Sequence, residues 1–254
     1  MRTLRAVYAF LVYLFLYLPL AVMVVYSFND SRFSMAWKGF TLDWYVKLFG
    51  NTSLMQAALN SLLIAVLSAT CSSVLGTLIA MALHRWRFPS RKVIRTSLFV
   101  MMMSPDIVIG ISLLVLYMAL SLPLGFGTLL MAHVTLCVPF VAITVFGRLH
   151  GFDPHVVEAA RDLGAGEYEV FRHVVLPMIF PAVMAGWFLS FTLSVDDVII
   201  SFFTTGPTFE VLPLRIYSMV RLGLKPEVNA LCAIMILITV VAVMLSQRFL
   251  KEKP

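Results

Sequence analysis

Asp153–Pro177, DPHVVEAARDLGAGEYEVFRHVVLP, is the stretch on which the reading of the chain turns. It gathers Asp153, Glu158, Arg161, Asp162, Glu167, Glu169 and Arg172, with His155 and His173, into a polar island within an otherwise apolar second half. Asp153 can accept a hydrogen bond at a helix start, and Pro154 fits the first helical position, where no N–H is needed. Val156, Val157, Ala160 and Leu163 then recur at helical spacing, and Gly164 is expected to end the helix. Glu167 and Glu169 open a second short helix that Arg172 and His173 close, the charge order the helix dipole favours, and Pro177 is expected to stop it. The stretch reads as a helix-turn-helix hairpin lying outside a membrane.

The rest of the chain supplies that membrane. Hydrophobic residues make up 61% of the 254 residues and charged ones 13%, and the mean hydropathy is +0.94, far from a water-soluble composition. Apolar runs able to cross a bilayer, which takes roughly 20 residues, occupy about 6–28, 58–83, 96–121, 128–147, 178–204 and 227–247. The first, behind Arg2 and Arg5, is too long for a signal-peptide core, and Tyr26-Ser27-Phe28-Asn29-Asp30 is a poor cleavage site, so it reads as a retained helix. The expectation is an all-α integral membrane protein of six transmembrane helices, a single domain over 1–254.

Orientation follows from Lys and Arg. With the N-terminus inside, 13 of the 19 fall in inside segments, and the loop between the third and fourth helices, Ser121–Gly127, holds none. Both termini and the 153–177 hairpin are then cytoplasmic. The net charge of +6 has its explanation in this topology and implies no nucleic acid. Cys71, Cys137 and Cys232 lie singly in apolar runs, which suggests neither a disulfide framework nor a metal site. Phe33, Trp37, Phe40, Trp44, Tyr45 and Phe49 crowd the first outside segment, as interfacial anchors or as a cation-stacking or docking surface. Arg215, Ser218 and Arg221 form one polar stripe on a short outer helix.

Acids inside membrane segments cost roughly 2.5–3.5 kcal/mol each on insertion scales and therefore mark pathways. Asp106 lies eleven residues beyond Arg95, about 16 Å along a helix, near the midplane. It follows Ser104-Pro105, a pattern that could restart a broken helix with Ser104 as its cap. Asp196 and Asp197 come 18 residues or more after Met178, about 27 Å in. Adjacent helix positions point about 100° apart, so one of the two is free to pair or cap while the other faces the lumen. Ser190, Thr192, Ser194 and Ser201 add hydroxyls nearby, and no Lys or Arg stands in a helix core to neutralise the acids. Such a pathway attracts cations. His133, near Thr135, is either a proton site or a histidine satisfying a neighbour's carbonyl. No P-loop, nucleophile elbow or zinc motif occurs, so the chain reads as no enzyme.

Two resemblances sharpen this. Glu158-Ala159-Ala160, Gly164, then Val174-x-Leu176-Pro177 resembles the EAA loop of bacterial ABC importer permeases, with Val174 where that family usually has Ile. It implies the type I permease fold, in which Glu158, Ala159, Ala160, Gly164, Leu176 and Pro177 form a coupling hairpin that docks on an ATPase subunit. Met103–Val108, Ser190–Val198 and Gly39-Phe40-Thr41 with Trp44-Tyr45 are similar to stretches of the spermidine/putrescine importer permeases, through essentially the whole chain. This implies a bacterial inner-membrane subunit that carries linear polyamines, with Trp44, Asp106, Asp196 and Asp197 handling substrate. It further implies a periplasmic polyamine-binding protein, a second, unlike permease and a pair of ATPase subunits that hold the ATP and Mg, this chain needing no cofactor. Two rivals keep part of the picture: an ABC permease for another amine-bearing solute, such as an opine or aminophosphonate, and an ion-coupled secondary carrier using Asp106 and His133.

Overall fold

A computed structural model describes residues 2–31, 36–151, 153–221 and 227–237. The elements are helices: α1 (Arg2–Tyr26), α2 (Asp43–Gly50), α3 (Thr52–Arg85), α4 (Arg91–Met103), α5 (Asp106–Ala119), α6 (Phe126–His150), α7 (Pro154–Asp162), α8 (Glu167–Val170), α9 (Leu176–Asp196), α10 (Ile199–Thr204) and α11 (Leu212–Arg221), with α12 (Glu227–Leu237) after them. Among the described residues, four helices are long and apolar enough to cross a membrane, and five if α4 and α5 count as one bent span. Of the expected run at 227–247, residues 238–247 lie outside the described residues.

The described parts of 1–56 and 215–254 form one compact unit, and residues 57–214 another. In the first, α1 turns Phe10, Phe15 and Tyr17 outward along an apolar cylinder, the surface that hydrocarbon tolerates. After it, the fully buried Asn29 organises the turn: its side chain donates to the Ala36 carbonyl and accepts from the Lys38 N–H, both at 2.8 Å. Phe28 stacks on Phe40 with ring centroids 5.4 Å apart.

In the second unit α3, α6 and α9 close on one another through glycines. A Cβ at Gly76 would stand 2.7 Å from Val141 Cβ and 2.9 Å from the Ala142 nitrogen, and one at Gly186 would stand 3.3 Å from Val141 Cα. Ala80, Val141, Val145, Leu149 and Ile179 fill the contact. Lipid gives helices no hydrophobic reason to associate, so close backbone approach at small residues takes that role. Gly76→Val is expected to force α3 off α6 at a cost of about 1–3 kcal/mol, read as a lower Tm of the purified protein in detergent. An unchanged Tm would mean the helices do not close there.

Two helix breaks shape this unit. At the first, Ser104 and Pro105 are both extended and α5 leaves α4 at 113°; the proline ring bars Ser104 from helical geometry. Ser104 does not cap α5. Its hydroxyl turns back to the Val100 carbonyl at 2.8 Å, and Pro105 holds the N-cap position. At the second, α9 ends at Asp196, and α10 restarts two residues later, packed on α5, where Gly110 admits the ring of Phe203.

Pro177 does not stop a helix. From Glu167 to Asp196 the chain is one 30-residue helix in which α8 runs through a π-helical turn, Phe171–Val175, into α9. The Leu176 N–H bonds back five residues to Phe171. That wider turn absorbs the misfit of a proline ring with the preceding turn.

Candidate functional site

The first helix of the hairpin, its turn and the start of its second helix are built as the sequence leads one to expect. The Asp153 carboxylate accepts from the His155 N–H at 3.0 Å, Pro154 holds the first helical position, and Gly164 takes φ +87°, a left-handed conformation that suits glycine after a helix end. Glu169 closes the second helix start by accepting from Gly166 N–H at 2.9 Å. Glu158 is exposed on α7, its carboxylate 3.2 Å from His155 Nδ1. Ala159 and Pro177 are exposed, Ala160 and Leu176 half-buried, and Leu163, 89% exposed, stands at the tip as bare apolar surface. Behind Glu158 a cleft of about 380 Å³ opens between the hairpin and the ends of α3 and α6, lined by Met81, Arg85, Leu149, Val157 and Phe171.

One acid ties the two helices of the hairpin to each other and to α3. The Glu167 carboxylate accepts from Arg85, at the end of α3, at 2.5 Å and from Arg161, on α7, at 2.9 Å. The sequence marks Glu167 only as a helix-opening acid; its two guanidinium partners are 82 and 6 residues away, and nothing local announces the first.

The acids of the apolar segments divide by environment. Asp106 is the first residue of α5 and exposed, an acid at the positive end of a helix dipole. Asp196 is exposed at the end of α9, within electrostatic reach of Asp106 and Asp197. Asp197 is engaged: its side chain is 6% exposed, Oδ1 accepts from Ile200 N–H at 3.2 Å and Oδ2 from Ser201 N–H at 2.7 Å, so the carboxylate caps α10. Adjacent in sequence, the two acids stand in different surroundings.

The His133 side chain, 1% exposed two turns into α6, meets hydroxyls rather than a carbonyl among the described residues. Its Nδ1 lies 2.7 Å from Ser194 Oγ and its Nε2 3.0 Å from Ser201 Oγ and 3.5 Å from Asp197 Oδ2. The serines stand seven residues apart on either side of the α9–α10 break, a spacing that flags a shared face only once the break is known.

Trp44, in the other unit, is buried on α2. Its indole N–H donates to the Asn29 carbonyl at 2.8 Å, and Lys47 Nζ sits 4.4 Å above the ring centroid. A cation therefore already occupies one face of this ring. Among the described residues no group of three or more His, Cys, Asp or Glu could hold a metal ion.

Residues 72–253 match the family described as binding-protein-dependent transport system inner membrane component. The chain is 52% identical to the spermidine/putrescine transport system permease protein PotC of Escherichia coli strain K12 over 252 residues, 99% of this chain and 96% of that protein. It is 39% identical to the putrescine transport system permease protein PotI of the same organism over 239 residues, 91% of this chain and 85% of PotI. Among solved structures, a bacterial ABC transporter involved in the import of the acidic polysaccharide alginate matches with a TM-score of 0.76 over 97% of this chain and 95% of that one, at 16% identity, a likeness of fold alone.

Proposed function

The chain belongs to the family of binding-protein-dependent transport inner-membrane components, and from that premise we propose that it is the permease subunit of an ATP-driven ABC importer for linear polyamines. The observation that carries this reading is the identity of 52% with a spermidine/putrescine permease, running through 99% of the chain. It is a transport subunit, not an enzyme. Chemistry supports the cargo: exposed carboxylates at two breaks, Asp106 and Asp196, with no Lys or Arg in the helix cores, favour a flexible chain of ammonium groups. Trp44 contributes by holding the segment around Asn29, its ring being paired with Lys47.

In this reading α12 begins a sixth span, both termini are cytoplasmic, and the hairpin meets an ATPase. Glu158 and the bare Leu163 are the contact surface, a charge beside an apolar knob. Two ATPases that work as a dimer need two such hairpins, so a second, unlike permease completes the pathway, and a periplasmic polyamine-binding protein delivers the substrate. ATP and Mg are bound by the ATPases. Closure of the ATPase pair pulls the hairpin and turns the pathway outward; hydrolysis returns it inward.

Uptake of labelled spermidine and putrescine, in cells stripped of other polyamine importers, tests the reading. Both amines should enter with the gene present and remain at background without it. Uptake indifferent to the gene would sink the polyamine assignment.

A further inference from the structure

The buried side chains around His133 form a connected chain. The Ser68 hydroxyl on α3 lies 3.1 Å from Ser194 Oγ on α9 and 3.2 Å from the Ala65 carbonyl, and its one proton serves one acceptor at a time. Ser194 Oγ stands 2.7 Å from His133 Nδ1. The Asp197 carboxylate, 3.5 Å from Nε2, favours the ring hydrogen on Nε2, aimed at it and at Ser201 Oγ, with the Ser194 hydroxyl donating to Nδ1. The opposite tautomer would set a bare Nε2 lone pair against that carboxylate and leave the Ser194 proton without this acceptor. Ser68, Ser194 and Ser201 are all 4% exposed or less, so a broken member leaves its neighbours unsatisfied in a low-dielectric setting.

One imidazole thereby reaches four elements: α6 carries it, α9 and α3 meet its Nδ1 side through Ser194 and Ser68, and α10 meets its Nε2 side. Asp197 and Val198, the two residues between α9 and α10, are the whole linker of the break. His133 Nε2 and the Ser201 N–H both meet Asp197 Oδ2, and the Ile200 N–H holds Oδ1, so the carboxylate is kept on the α10 amides. Asp196, one residue back, is left exposed, within electrostatic reach of Asp106.

We propose that His133 is a positioning residue for the transported cation: it clamps the α9–α10 break so that Asp197 remains a cap and Asp196 is held at one fixed separation from Asp106. The proposal rests on the polyamine-permease reading. A linear amine with two charges and one with three sample carboxylate separation differently, so loosening the clamp changes their relative rates and not merely the amount of working protein.

The test uses the full transporter, this chain with its partner subunits, and compares maximal uptake of spermidine and putrescine at equal amounts of membrane-inserted protein. His133→Leu should lower uptake about five- to tenfold and shift the spermidine-to-putrescine ratio by about twofold or more. His133→Gln, whose amide N–H can reach the Nε2 partners, should bring the ratio back toward wild type. An equal loss of both amines in His133→Leu, or no loss, overturns the proposal. If His133→Leu does not accumulate in the membrane, Ser201→Ala decides, since it removes one Nε2 partner and adds no bulk: a shifted ratio supports the clamp and an unmoved ratio overturns it. A wild-type transporter that imports neither amine overturns the polyamine reading and the clamp together; one that imports both with the ratio fixed in every variant overturns the clamp alone.

Discussion

Glu158→Arg is expected to abolish uptake while the chain still inserts and folds normally. The exposed carboxylate pairs with the exposed His155 across one helical turn, a pair contributing about 0.5 kcal/mol or less to stability. Reversing its charge against a partner surface that accepts an acid places like charges together, at a cost of several kcal/mol. About 3 kcal/mol already corresponds to a weakening of more than about 100-fold. Co-purification of the ATPase with tagged wild-type and variant chains measures this directly. ATPase recovered in equal amounts with Glu158→Arg would remove Glu158 from the coupling surface, whatever happened to uptake.

Asp196→Asn is the second large effect. The substitution keeps shape and removes charge from an exposed position, so insertion and ATPase association should hold. A cation about 4 Å from a carboxylate gains about 4 kcal/mol at an effective dielectric of 20, and losing part of that in the transport barrier predicts uptake slowed about ten- to hundredfold. Asp106→Asn should act in the same direction, and the double variant should lose less than the product of the two, because the carboxylates lie within reach of one another. Initial rates of labelled spermidine uptake at matched membrane levels give the answer; wild-type rates in Asp196→Asn would exclude it from the pathway.

What could be read in advance follows from which forces are local. Hydrocarbon demands long apolar runs, so the helices announce themselves by composition, and Asp153, Pro154 and Gly164 act within one turn of themselves, so the first helix of the hairpin and its turn are legible. Ser104 and Pro177 mislead for the same reason in reverse. A local preference, for capping at one and for stopping at the other, yields to neighbouring backbone: the Val100 carbonyl in one case and a π turn in the other. Glu167 and His133 lay beyond local reading. Arg85, Ser194 and Ser201 stand 82, 61 and 68 residues from their partners, and only packing brings them together. The division of labour between Asp196 and Asp197 depends on a helix break that their own sequence does not mark.

The helix from Glu167 to Asp196 ties the two ends of the unit mechanically. Thirty residues at 1.5 Å each make a rod about 45 Å long, paired at one end with Arg85 and Arg161 through Glu167 and carrying Asp196 at the other. No loop interrupts it, so there is no slack in which a push on the hairpin could dissipate. The π turn at its base holds an extra residue in the winding, and migration of that bulge by one position would turn its local register by about 100°. On the proposed reading the helix acts as a crankshaft, carrying a push on the hairpin along its length to the break at Asp196.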